Sequence, residues 1–187
     1  AEPSNPGVLL NQAALKVERG DFQSASDILD RVLAFAPSNP ESALLLRAEA
    51  SIGLGRLDDA ARDFARVRDA HPDDAQRLNS LCWTAARAGV LLDQARRDCD
   101  AALAIWPGSP AILDSRGRVL LQQGDLAGAL AAYESALALE PQQSASLYGR
   151  GLTRIALGDI EAGEADKAAA IAIDPEAATD FESYPPR

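Results

Sequence analysis

His71, Cys82 and Cys99 are the only histidine and cysteines in the chain, and so its only candidates for nucleophilic or soft-metal chemistry. A cysteine nucleophile needs a base within hydrogen-bond reach. His71 stands in a loop before Pro72, and Cys82 lies well along the next helix, on the order of 10 Å further at 1.5 Å per residue. A Cys-His dyad is not expected. Nor do one histidine and two distant cysteines supply a tetrahedral metal site. Asp58-Asp59 and Asp73-Asp74 look like carboxylate pairs for acid–base work. Each stands where a helix begins, however, and there it complements the positive end of the dipole. Gly53-Leu54-Gly55 is a helix end and turn, with no preceding strand and no following lysine to cradle a phosphate. The expectation is no catalytic residue, no metal and no cofactor.

The elements that carry these residues follow one pattern. From Pro110 to Pro141 the chain runs as one amphipathic segment, a break at Gly124-Asp125, a second amphipathic segment and a proline. Leu113, Gly117, Leu120 and Leu121 fall at three- and four-residue steps, as do Leu126, Ala129, Leu130, Tyr133, Ala136 and Leu137. That is a helix hairpin with punctuation at both ends. The same unit recurs along the chain. Prolines close it at Pro37, Pro72, Pro107, Pro141 and Pro175, and turn glycines stand at Gly20, Gly55, Gly89, Gly124 and Gly158. Leu9, Leu44, Leu78, Leu113 and Leu147 open it, and a small residue follows four places on: Ala13, Ala48, Cys82, Gly117, Gly151. This is an internal repeat of about 34 residues.

On these residues the chain resembles the tetratricopeptide-repeat (TPR) family. The small residues, the turn glycine, a bulky residue (Phe64, Tyr133) and the closing proline stand where that family has them. The resemblance implies an all-α fold, a right-handed superhelical solenoid of five helix-turn-helix repeats plus a C-terminal capping helix, whose first helices line a concave groove. The repeats are expected at about 6–39, 40–74, 75–109, 110–143 and 144–175. A disordered lead over 1–5 precedes them, and a capping helix and tail over 176–187 follows, with Phe181 and Tyr184 covering the last repeat. Asn5-Pro6, Asn39-Pro40 and Ser109-Pro110 each read as a helix cap followed by a first-turn proline.

Physical reasoning supports the same architecture. A single hairpin cannot cover its own apolar face, so it must stack on neighbours. In the third repeat Val90-Leu91-Leu92 adds one residue to the turn and is expected to bulge. Cys82 takes a small packing position and Cys99 the place of Phe64 and Tyr133, so both read as buried apolar thiols. Antiparallel pairing would set Cys82 opposite Ala95 and Cys99 opposite Leu78, about one turn apart. That argues against a bridge while leaving one open. Lys167 takes the bulky place in the fifth repeat and is expected to leave its outer side open. Trp106 is expected to pack against the loop between repeats.

Eighteen basic residues against 28 acidic ones give a net charge of −10. This disfavours nucleic acid, which needs a basic stripe. No run approaches the 18 apolar residues of a membrane span, so no membrane insertion is expected. The chain opens AEPSNP and contains no methionine, and is therefore expected to be a mature or excised segment, cytoplasmic or periplasmic.

Recognition remains as the function, with a protein or peptide partner. By repeat register the groove residues are Leu10, Ala14 and Val17, then Leu45, Glu49 and Ile52, then Asn79, Trp83 and Arg87. The later repeats add Asp114, Arg118 and Gln122, then Tyr148, Leu152 and Ile155. Trp83 with Asn79, Arg87, Arg118 and Tyr148 has the composition of a binding hot spot; the alternative is that Trp83 only fills space between repeats. Some members of the family hold a C-terminal carboxylate with groove lysines and asparagines. Here Leu10, Ala14, Leu45 and Glu49 stand in those places, so that clamp is not expected. Arg87 and Arg118 could still grip an acidic group. A competing reading is a structural module that forms a homodimer or packs against other domains of a longer protein. The third repeat weakly resembles repeats at the end of larger bacterial envelope proteins that carry transglutaminase-like domains.

Overall fold

Apolar residues spaced three and four apart on either side of each glycine fold into paired helices. The computed structural model describes residues 5–179 and 181. Among the described residues every long regular element is an α-helix: α1 Pro6–Glu18, α2 Phe22–Ala34, α3 Glu41–Gly53, α4 Leu57–Ala70, α5 Ala75–Ala88, α6 Leu92–Ile105, α7 Pro110–Gln122, α8 Leu126–Leu139, α9 Ser144–Ala156 and α10 Ile160–Ile173. They pair in sequence as five hairpins. The chain falls into two compact units, Ala1–Pro72 with α1–α4 and Asp73–Arg187 with α5–α10. Residues 1–4 of the expected lead, and Tyr184 with Pro185-Pro186 of the expected cap, lie outside the described residues.

Each hairpin turns at a glycine with positive φ, from 66° at Gly89 to 93° at Gly158. At Gly124 the glycine N–H donates to Leu121 O (3.1 Å) and the Asp125 N–H to Leu120 O (2.9 Å). This pair of bonds satisfies the last carbonyls of α7, and it needs a left-handed residue at the glycine. The third turn keeps these bonds at Gly89 and Val90 and absorbs its extra residue at Leu91, which takes a left-handed conformation (φ 52°). Val90, Leu91 and Leu92 are all half-buried there. At the helix starts, Asn5 accepts from the Gly7 N–H at 2.9 Å, and Asp74 accepts from Gln76 and Arg77. The expected caps at Asn39 and Ser109 make no side-chain bond of that kind. Glu41 opens α3 one residue after Pro40, which places Asn39 outside the cap position.

In the first unit, Leu9, Ala13, Leu29, Val32 and Ala43 form the apolar core. Beside it Arg47 donates to both oxygens of Asp63, at 2.8 and 2.7 Å, and to Asp30 at 2.6 Å. Asp63 is 3% exposed, and its carboxylate holds the Arg47 proton more tightly than usual. The second unit repeats the device. Arg150 donates to both oxygens of Asp166, each at 2.7 Å, again across sixteen residues. Such bidentate pairs fix geometry as well as charge.

Two expectations are corrected. Cys82 and Cys99 are bridged, with Cα atoms 5.5 Å apart. The small residue of a first helix sits under the bulky residue of its partner. In the fourth hairpin the Tyr133 ring covers Gly117, and in the fifth the Lys167 stem covers Gly151. Cys82 and Cys99 occupy those two places and span the same gap covalently. Lys167 lays its methylenes over Gly151 yet stays half-buried, whereas Phe64, Cys99 and Tyr133 are fully buried at the equivalent places, so the fifth repeat is the more open one there, as expected. Trp106 does not pack down: it is 54% exposed. The helix has ended there (φ −133°, ψ 80°), so helical register no longer aims the ring at the hairpin.

Candidate functional site

The first helices of the second unit form its inner layer. α7 touches both α5 and α9, while direct contact between α6 and α8 or between α8 and α10 is marginal at most. A layer whose members touch is the concave side of a stack. In the helices of that layer, register brings Asn79, Trp83 and Arg87 from α5 beside Asp114, Arg118 and Gln122 from α7, then Tyr148 and Leu152 from α9.

Their environments differ from the open lining expected. Asp114 (6% exposed), Arg118 (1%), Gln122 (7%) and Tyr148 (6%) are buried, whereas Asn79, Trp83, Arg87, Leu152 and Ile155 are half-buried. Over Arg118 and Tyr148 the cover is the chain's own Phe181. Its ring centroid lies 4.1 Å from the Arg118 guanidinium carbon and 5.3 Å from the Tyr148 ring. The Arg118 guanidinium also lies over the Trp83 ring, at 5.4 Å. Trp83, Arg118, Phe181 and Tyr148 thus make one stacked series, in which a desolvated cation lies against aromatic faces. Lys167 Nζ stands 5.8 Å from the Tyr148 ring at the end of the series. Ser146 donates to Asp114 at 2.6 Å.

In the first unit, Leu10, Ala14, Leu45, Glu49 and Ile52 are half-buried and Val17 is buried. No comparable aromatic series includes them among the contacts described. His71 lies 2.8 Å from the Glu41 carboxylate, and Cys82, being oxidised in the bridge, offers no thiolate. No helix among the described residues is long and apolar enough to cross a membrane. Sequence reasoning named Phe181 only as a cover for the last repeat. It had no signal for how far the ring reaches into the layer.

Beneath the series, Tyr133 of α8 is fully buried, and its hydroxyl has no hydrogen-bond partner among the described residues. Burial and the nearby Asp114 charge push its phenol well above the ordinary 10.0, with Arg118 opposing. The folded pKa is raised, so the contribution to stability is complete below pH 10 and is lost as pH rises above it. We expect the wild type to lose stability above pH 10 by ~1.4 kcal/mol per pH unit more than Tyr133→Phe. Urea unfolding of both proteins at pH 8 and pH 11 measures this, and parallel losses would refute it.

Comparisons with known proteins bear on this arrangement. A profile described as "Tetratricopeptide repeat" matches residues 16–82, and one described as "TPR repeat" matches residues 117–158. Together they take in more than half of the chain. The chain belongs to the tetratricopeptide-repeat family. Over 135 residues this TPR chain is 27% identical to the TPR repeat-containing protein YvcD of Bacillus subtilis (strain 168), covering 71% of this chain and 26% of that protein. It therefore spans about a quarter of the length of this curated relative. Among solved structures, TTC0263, a thermophilic TPR protein of Thermus thermophilus, superposes with a TM-score of 0.74 at 19% identity, over 96% of this chain and 97% of that one. YrrB, described as a TPR protein with an unusual peptide-binding site, superposes with a TM-score of 0.58 at 16% identity, over 96% and 92%. These likenesses show the fold: all-α TPR hairpins.

Proposed function

We propose that this chain is a non-catalytic protein-interaction scaffold that binds a peptide or protein segment on the inner layer of its second unit. Trp83, Arg118 and Tyr148 anchor the segment. Asn79, Arg87, Asp114, Gln122 and Leu152 surround the anchor. The carrying observation is the Trp83–Arg118 stack, a desolvated arginine on an aromatic face, which is the chemistry of an interface hot spot. The likeness to YrrB, a TPR protein with an unusual peptide-binding site, supports the reading.

Calorimetric titration of peptides selected from a displayed library tests it, with Trp83→Ala beside the wild type. The variant is expected to weaken binding about 30-fold or more, the scale of a hot-spot truncation. Full affinity in Trp83→Ala removes the site. Exposed Leu157, Ile160, Ile171 and Ile173 on the last hairpin favour a second reading, in which that end packs against another copy or domain. A library that yields no binder, with a solution mass that rises with concentration, would favour it over the first.

A further inference from the structure

The site just proposed is already filled, and its occupant reports the chemistry it accepts. α10 ends at Ile173, and Phe181 follows after a short connecting stretch. In that stretch Ala177 is buried and joins the same apolar cluster as Tyr148 and Phe181. The Phe181 ring is 5% exposed. A cap that served only the last hairpin would need to reach no further than α9 and α10. Phe181 instead reaches Arg118 of α7, one full hairpin back, and completes the stack that begins at Trp83. In sequence it lies between two acids, in Asp180-Phe181-Glu182, whereas the layer it meets contributes Arg87 and Arg118 against the single acid Asp114, with Lys167 of α10 at its edge.

We infer that residues 174–181 are a built-in competing ligand, and that the partner is a peptide that replaces Phe181 with an aromatic side chain of its own beside acidic residues. This rests on the inner-layer reading above. The logic is one of linkage. Only the fraction of molecules with Phe181 withdrawn can accept the partner, so the measured affinity is lowered by that fraction. A short tether keeps Phe181 at an effective concentration of about millimolar, so a free peptide competes against a permanently present rival. The guanidinium of Arg118 prefers an electron-rich ring face over an aliphatic one, which selects an aromatic side chain. The acidic flanks match the cations of the layer and the tail's own composition.

The probe is a synthetic peptide of residues 174–187, titrated by calorimetry into the 187-residue wild-type chain and into the same chain with Phe181→Ala. The variant is expected to bind it at least about tenfold more tightly than the wild type. A peptide with Ala in place of Phe181 is expected to bind neither. Equal affinity of the two proteins for the Phe-containing peptide overturns the competing-ligand role, and so does silence from Phe181→Ala. Circular dichroism checks that the variant keeps its helices. If it does not, Phe181→Leu replaces it; leucine keeps apolar cover but offers no ring to Arg118, and the same direction of change is required. Repeating the titration with Trp83→Ala in the Phe181→Ala background separates the two ideas. Equal affinity that still depends on Trp83 sinks only the tail's role, whereas binding indifferent to Trp83 sinks the inner-layer site.

Discussion

Gly149→Ala is expected to cost about 3 kcal/mol and to lower the thermal midpoint of residues 73–187. A Cβ built at Gly149 would stand 2.3 Å from the ζ carbon of Tyr133 and 2.6 Å from its oxygen. Real Cβ contacts do not approach so closely, so something must move. The ring has nowhere to go. It is fully buried, and on its other side a Cβ at Gly117 would lie 2.8 Å from it. Tyr133 is therefore a wedge from α8 driven between two glycines, one on α7 and one on α9. Interiors are packed like crystals, and such a wedge transmits a displacement to both helices. Those helices carry Arg118 and Tyr148, so the substitution should also disturb the stacked series above it. A double-mutant cycle with Tyr133→Leu, whose side chain lacks the outer ring atoms, identifies the cause. The second substitution should recover part of the first loss, because the two residues touch. Strict additivity of the two losses would show that the strain lies elsewhere.

The hairpins and their turns were legible because each depends on a local signal repeated five times. A glycine that must adopt positive φ and a proline that cannot continue a helix carry their meaning without any knowledge of neighbours. The inner-layer register was legible for the same reason: Trp83 and Arg118 come together because one spacing rule applies to α5 and α7 alike. What escaped the sequence depends on depth. The rule that pairs the small residue of a first helix with the bulky residue of the second was visible in Gly117 with Tyr133. Antiparallel register alone sets the pairing one turn earlier, opposite Ala95, and so hides the bridge. The bidentate pairs Arg47–Asp63 and Arg150–Asp166 share one spacing and one place in the repeat, yet each passes for an ordinary surface charge until burial is known. Phe181 was the hardest. It belongs to no repeat, and no periodicity states how far an irregular stretch travels back along the helices it covers. The exposure of Trp106 escaped for the related reason that it stands just beyond a helix end.

Reduction of the Cys82–Cys99 bridge is the second large effect, with an expected loss of about 3 kcal/mol, as for a closed loop of this size. The bridge joins the two helices of the third hairpin, α5 and α6, across a separation of 17 residues. Urea unfolding with and without dithiothreitol measures the loss. An unchanged midpoint would mean that the sulfurs are not joined in solution. The repeat itself supplies a sharper version. The second hairpin holds Ala48 and Phe64 at the equivalent places, 0% and 2% exposed, and achieves its packing without sulfur. A Cys82→Ala, Cys99→Phe variant should therefore be indifferent to reductant and more stable than the reduced wild type, because an aromatic ring refills the gap that two thiols leave loose. Disulfides persist in oxidising surroundings and are rare in reducing ones, so the bridge makes the firmness of α5 depend on where the chain resides. Trp83 follows Cys82 directly on that helix. Loosening the hairpin consequently releases the platform on which Arg118 stacks, and hydrogen exchange in residues 75–105 should rise on reduction. Residues 5–72 contain no cysteine and provide the internal reference for that change.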